Sequence, residues 1–100
     1  MPFGLTDDDI KQVRQVFHSF PHIATVTLFG SRAMGNYKRG SDIDLALKGD
    51  AIASLVTQVS AKLNEEIPLP YFFDVIDYHT ITNAELRHHI DRYGQVLYTR

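Results

Sequence analysis

The feature that most restricts how this chain can fold is the alternation of short β-branched runs with segments of helical periodicity. Apolar residues recur at helical spacing in three segments, which are bounded by capping residues, glycines or prolines. Between these segments lie short runs rich in Val, Ile, Thr and aromatic residues, which are typical of strands. The sequence therefore predicts an α/β (α+β) fold, a small sheet flanked by helices, in the order helix, strand, short helical turn, strand, helix, strand, helix. The pattern does not fix the directions of the strands.

Caps and periodicity place the predicted elements. The predicted helices start at the cap Thr6 and end before Pro21, follow Asp50 up to Leu63, and run from a cap at Thr82 or Asn83 to Gly94. The predicted strands are 23–29, 42–47 and 71–78, with a short helical turn and loop at 31–40 and a terminal extended piece at 96–98. We expect the inward helix faces to be Ile10, Val13, Phe17 and Phe20, then Ile52, Leu55, Val56, Val59 and Leu63, then Leu86, Ile90 and Tyr93.

Length and composition limit the kind of protein. One hundred residues make one domain, 1–100, without room for a separate substrate-binding domain. The chain has no cysteine, no signal-peptide pattern and no apolar run that could cross a bilayer, so we expect a cytoplasmic protein that does not enter a membrane. A net charge of −2 argues against general nucleic-acid binding, which requires a basic face.

Acidic residues on two of the predicted strands indicate a metal site. Asp42 and Asp44 alternate with apolar residues, so both point to one face of their strand, and Asp74 joins them if its strand lies alongside. At a separation of about 5 Å, each pair of like charges costs roughly 3 kcal/mol at an effective dielectric of 20. Either one acid is protonated or a hard divalent cation lies among the three. Oxygen ligands alone favour Mg²⁺ or Mn²⁺ over Zn²⁺.

The loop before these acids is suited to phosphate. Gly30 allows the backbone to approach a phosphate closely, and Ser31 opens a helical turn whose free amides and hydroxyl can hold an anion. Three cations follow in the same loop, Arg32, Lys38 and Arg39. They either contact phosphate or a partner, or they are solvated loop charges.

Residues 30–47, GSRAMGNYKRGSDIDLAL, resemble the signature of the DNA polymerase β-like nucleotidyltransferase superfamily, and the short chain is most similar to its minimal nucleotidyltransferases, the MNT proteins. The resemblance implies the nucleotidyltransferase fold with a small mixed sheet. It also implies that Gly30 and Ser31 hold the β and γ phosphates of a nucleoside triphosphate, and that Asp42 and Asp44 bridge two Mg²⁺ ions. Asp74 would bind the catalytic metal and help to remove the proton of the attacking hydroxyl.

The same resemblance implies a partner. MNT proteins are often encoded beside a HEPN-domain protein as a toxin and antitoxin pair, and members of the family can transfer AMP from ATP to a tyrosine hydroxyl of that partner. We expect this function here, in a homo- or hetero-oligomer. Two alternatives remain open, a binding module that neutralises its partner by contact alone and a nucleotidyltransferase of small molecules such as antibiotics.

Several other polar residues have competing interpretations. Asp77 has the opposite strand parity to Asp74, so only one of the two can face the metal in a regular strand, and we favour Asp74. Residues 7–9, three consecutive aspartates, are better explained by helix capping than by metal binding. Adjacent helical residues point about 100° apart, so His88 and His89 make a poor zinc pair, and we predict that they are surface or interface residues.

Overall fold

The first helix of the computed structural model, which describes residues 2–100, forms as its sequence predicts. Helix α1 runs from Asp7 to His18. The Thr6 side chain accepts a hydrogen bond from the Asp9 amide while the Asp9 carboxylate accepts one from the Thr6 amide, a complete capping box. The aspartates at the helix start thus serve capping and the helix dipole, as expected. The predicted apolar face of this helix is buried.

A four-stranded mixed sheet forms the centre of the molecule. Its strands are β1 (Ile23–Phe29), β2 (Ile43–Gly49), β3 (Phe73–Asp77) and β4 (Gln95–Thr99), in the spatial order β3-β2-β1-β4. β1 is antiparallel to both β2 and β4, whereas β2 and β3 are parallel. The predicted terminal extended piece is therefore an edge strand of the sheet.

Helices cover both faces of the sheet. One face packs against α1 and against α3 (Val56–Ala61), in a core that includes Phe17 and Val59. The opposite face packs against α4 (Ala84–Tyr93) through a smaller cluster centred on Phe29, Ala46 and Ile90. The remaining helix, α2 (Ser31–Met34), is a single turn between β1 and β2.

Several predicted boundaries differ from the structure. The long helix predicted to run up to Leu63 is a 3₁₀ turn at Ile52–Ser54, then α3, then a π-helical turn at Lys62–Glu66. Tyr93, predicted to face inward, is 41% exposed at the end of α4. Of the aromatic residues before Asp74, Phe73 is fully buried and Phe72 is 57% exposed. No helix within residues 2–100 has the length and apolar character that a membrane span requires.

Candidate active site

The antiparallel pairing of β1 with β2 brings the glycine-serine turn to the acidic strand. Phe29, the last residue of β1, pairs with Asp44, so Gly30 begins next to that carboxylate. Gly30 has a φ of 76°, and a Cβ at this position would collide with the Asp44 Oδ2 atom. Only glycine satisfies both conditions, because it tolerates a positive φ and has no Cβ atom to meet the carboxylate. The turn and the acid are therefore adjacent, as the motif spacing predicts.

Parallel pairing of β2 with β3 brings a second acid to the same place. Asp44 and Asp74 are direct partners in the register of the two strands. Asp74 lies on the α4 face of the sheet, the face to which Asp44 also belongs, and its side chain is exposed. Asp42 lies one residue before β2, because the turn at 38–41, closed by the Ser41 amide bonding the Lys38 carbonyl, leaves it outside the ladder.

Asp77 has a different place. It is 8% exposed and belongs to the opposite face of β3, where its neighbours in the strand register are core residues such as Leu47. Its Oδ1 atom accepts a hydrogen bond from the His79 amide and so caps the 3₁₀ turn Tyr78–Thr80. The structure therefore pairs Asp44 with Asp74, with Asp42 two residues before Asp44 in the chain, and leaves Asp77 on the opposite face.

Asp44 is the acid whose ionisation its surroundings alter. The pKa of Asp44 is raised to about 6, first by burial of its carboxyl group and then by the negative charges of Asp74 and Asp42, while His89 acts in the opposite direction. A carboxyl group with this pKa is mostly ionised at pH 7 but keeps a protonated fraction of about one-tenth, which an ordinary aspartate does not. A cation beside Asp44 would offset both causes, because it favours the ionised form of the carboxyl group.

His89 lies at this site, although the sequence predicts a surface or interface residue. Its Nε2 atom accepts a hydrogen bond from the Gly30 amide at 2.9 Å, and its ring packs edge-on against Phe29 with centroids 6.2 Å apart. The neighbouring His88 is exposed. Helical periodicity alone could not show that the chain returns α4 to the glycine turn, since that contact spans 59 positions.

Arg32 is buried within the protein instead of lying exposed in the loop. The sequence predicts either a phosphate-binding or a solvated cation at this position, but the Arg32 side chain is only 3% exposed. The guanidinium donates hydrogen bonds to the backbone carbonyls of Ser41 and Phe3, so three of its five N–H donors are engaged within the protein. Burial of this kind cannot be read from a loop that otherwise has the composition of a solvated turn.

Lys38 and Arg39 remain exposed loop cations. With Tyr37 and Tyr71 they line a cavity of about 290 Å³ at the end of the sheet, and the cavity wall contains no acid. The structure does not place the two cations in contact with the acids. Their predicted contact with phosphate remains a prediction.

The three acids fit a divalent cation held jointly with a substrate. No group of three or more His, Cys, Asp or Glu side chains is drawn closely enough together to enclose an ion by itself, as far as residues 2–100 are concerned. Mg²⁺ in phosphoryl-transfer sites is typically bound by one or two carboxylates and completed by phosphate oxygens and water. The register pair of Asp44 and Asp74, with Asp42 adjacent, supplies such an incomplete set of oxygen ligands. An open set of this kind suits catalysis better than storage of a metal.

Comparison with known proteins gives a family match over most of the chain. The sequence profile of the family described as Polymerase beta, Nucleotidyltransferase matches residues 11–100. Comparison with curated proteins gave no match.

Solved structures with the same fold include two toxin-antitoxins. One, crystallised with AMP-PNP, has a TM-score of 0.72 and 24% identity, with 92% of this chain and 74% of that chain covered. The toxin-antitoxin MntA-HepT has a TM-score of 0.67 and 20% identity, with coverages of 95% and 74%. A putative nucleotidyltransferase from Sulfolobus solfataricus has a TM-score of 0.56 and 25% identity, with coverages of 91% and 77%. At these identities the likeness shows a common fold.

Proposed function

Because the chain belongs to the polymerase beta nucleotidyltransferase family, we propose that it is a Mg²⁺-dependent enzyme that transfers AMP from ATP to a hydroxyl group. The family match and the fold confirm the resemblance that residues 30–47 indicate and the mixed α/β nucleotidyltransferase fold that it implies. The reaction, its metal and its acceptor are the proposal. The main support for the proposal is that Gly30 lies next to the Asp44 carboxylate and that Asp44 pairs with Asp74 in the strand register.

The proposed reaction assigns a role to each residue at this junction. Gly30 and Ser31 would hold the β and γ phosphates, and Asp42, Asp44 and Asp74 would hold Mg²⁺ or Mn²⁺, with two ions in the full site. Bound metal would neutralise the charge that develops on the triphosphate. The acceptor oxygen bonds to the α-phosphorus, the bond from that phosphorus to the bridging oxygen breaks, and pyrophosphate leaves. The acceptor proton passes to the Asp74 carboxylate.

We propose further that the acceptor is a tyrosine hydroxyl of a HEPN toxin, and that the transfer neutralises the toxin in the cytoplasm. The support is that two of the solved structures with this fold are toxin-antitoxins, one of them crystallised with the ATP analogue AMP-PNP. The function would therefore require a complex of two different proteins.

A transfer assay with two labels tests this proposal. The purified protein is mixed with Mg²⁺, the product of the adjacent gene and ATP labelled on either the α or the γ phosphate. We expect the α label, and not the γ label, on a tyrosine of the partner. The D42N and D44N variants should abolish the label, whereas D50N, which changes an exposed aspartate just beyond β2, should retain it.

The same experiment distinguishes the non-enzymatic alternative. If D42N and D44N still neutralise the toxin fully and no label is transferred by the wild type, the protein acts by contact alone. If the γ label is transferred instead, the protein is a kinase and the proposed reaction is wrong.

A further inference from the structure

Arg32 joins three segments of the chain around the candidate site. Its Nε and Nη2 atoms donate to the Ser41 carbonyl at 3.0 and 2.8 Å, and its Nη1 atom donates to the Phe3 carbonyl at 2.8 Å. Ser41 directly precedes Asp42, and Arg32 directly follows Ser31. One side chain thus links the proposed phosphate-binding turn to the first acid.

Aromatic rings hold this guanidinium in place. Its central carbon lies 5.3 Å from the ring centre of Tyr37 and 4.9 Å from that of Tyr71. Contacts with the N-terminal turn are equally tight, since a Cβ on Gly4 would lie 2.5 Å from Tyr37 Cε2 and 2.9 Å from Arg32 Nη1. A planar cation that lies over two aromatic rings and is hydrogen-bonded at its edges has little freedom to shift.

The energetics favour a role beyond packing. Burial of a charge is costly unless the charge is paired, and the hydrogen bonds of Arg32 go to neutral carbonyls. An apolar side chain would fill the same space at a smaller desolvation cost. What arginine supplies is a two-donor fork that fixes one carbonyl oxygen in distance and direction. The carbonyl that it fixes belongs to the residue before Asp42.

We propose that Arg32 is a positioning residue, which holds the Asp42 carboxylate at a fixed place relative to Gly30 and Ser31. The inference rests on the proposed function, because it assigns the geometry of the same site. Arg32 itself does not contact the nucleotide. A displacement of about 1 Å in a reacting geometry can lower a rate by about 100-fold, so loss of this fork is expected to affect turnover more than ATP binding.

R32K tests the inference, because lysine keeps the charge but lacks the fork. In the transfer assay we expect kcat to fall by ~10- to 100-fold, KM for ATP to change by less than about threefold, and the Mg²⁺ concentration for half-maximal rate to rise. R14Q is the matched control, since Arg14 also donates through Nε to a backbone carbonyl, that of Leu97 at 2.8 Å, but far along the chain from the site. Its kcat and Mg²⁺ dependence should equal those of the wild type.

A second variant and an NMR measurement separate the proposed role of Arg32 from misfolding of R32K and from failure of the proposed function. Y37L removes one stacking ring and leaves the hydrogen bonds, so it should show a smaller change of the same kind. In ¹H–¹⁵N spectra of the free protein, R32K should shift the Asp42 amide resonance and R14Q should not. An unmoved Asp42 resonance, or an unchanged kcat and Mg²⁺ dependence in both R32K and Y37L, overturns the inference. Absence of transfer by the wild type refutes the proposed function instead, and the spectra still decide the role of Arg32.

Discussion

Asp44 is the residue at which the demands of folding and of the proposed chemistry conflict. It is partly buried beside Asp74 and Asp42, and its pKa is raised to about 6 by that burial and by those charges. Between about pH 4 and pH 6 the folded protein therefore binds more protons at this site than the unfolded chain. The contribution of the Asp44 carboxyl group to the free energy of unfolding is highest at low pH and is lost as the pH rises through 6.

Asp44→Asn should relieve this conflict. In Mg²⁺-free buffer at pH 7 we expect the variant to be more stable than the wild type by about 1 kcal/mol, a value discounted for the partial exposure of the group. The gain should shrink toward zero below about pH 4, where the wild-type carboxyl is neutral. Urea unfolding at several pH values measures the stability difference between the two proteins and its dependence on pH. A difference that does not vary with pH would contradict the assignment of the gain to the Asp44 carboxyl group.

Gly30→Ala tests the contact between the turn and the acid. The new methyl group would meet Asp44 Oδ2 at a φ of 76°, so we expect a loss of roughly 2 kcal/mol of stability and nearly all activity. Gly35→Ala is the matched control, because Gly35 also has a positive φ, 81°, but has no atom within 4 Å of the added carbon. It should lose about 1 kcal/mol and keep its activity. Equal activities of the two variants would show that the crowding at Gly30 is unimportant.

The sequence predicts the placement of a side chain where that placement depends on local geometry. It does not predict the placement of side chains that depend on contacts between distant segments. Strand alternation correctly separated Asp74 from Asp77, since parity is a local property. The burial of Arg32 and the approach of His89 to Gly30 depend on segments far apart in the chain. Composition gives no signal for either of them.

The element that completes the site is α4. Asn83 caps its first turn by accepting from the Leu86 amide, and the Arg87 Nη2 atom bonds the Ile81 carbonyl. Tyr78 donates its hydroxyl proton to the Asp91 carboxylate, and this hydrogen bond raises the pKa of Tyr78. These anchors keep His89 against the Gly30 amide.

Asn83→Ala should therefore loosen the site as well as the helix. We expect a loss of about 1 kcal/mol of stability and faster hydrogen exchange at the Gly30 amide, whose bond to His89 depends on α4. Thr6→Ala removes the cap of α1 and should destabilise the protein by a similar amount, but α1 carries no site residue. If exchange at Gly30, measured by NMR and corrected for global stability, is equally fast in both variants, α4 does not hold this contact.

Element prediction succeeded where caps and periodicity agree, as in α1 and α4. It failed between Ile52 and Glu66, where one apolar stripe continues through 3₁₀, α and π geometry. Tertiary contacts explain part of this change. The Asn64 side chain in the π-helical turn bonds both the amide and the carbonyl of Phe73, on the free edge of β3.

Across the whole molecule, β4 ties the end of the chain to its first helix. Tyr98 is 7% exposed and its ring lies 5.5 Å from that of Phe17 and 5.2 Å from that of His18. β4 pairs with β1, the strand that leads into Gly30. The strand order could not be predicted from the sequence, since pairing partners and directions are set by the assembled core.

Tyr98→Ala should cost about 3 kcal/mol of stability, because it empties a packed aromatic site. Activity below the melting temperature should persist, since Tyr98 lies on the face opposite to the acids. Val96→Ala, in the same strand but 61% exposed, should change stability by less than about 0.5 kcal/mol. Thermal unfolding measures the difference, and similar melting temperatures for the two variants would contradict the assignment of Tyr98 to the core.

The pairing of Phe29 with Asp44 has a consequence for how such a chain can tolerate insertions. An extra residue between Gly35 and Gly40 would extend the exposed loop and leave the register between β1 and β2 unchanged. An extra residue within β2 would invert every side chain beyond it. If it preceded Asp44, the inserted residue would stand where the carboxylate belongs, and Asp44 would take the place of Leu45 in the hydrocarbon interior. Length variation among descendants of this sequence should accordingly be confined to the loop.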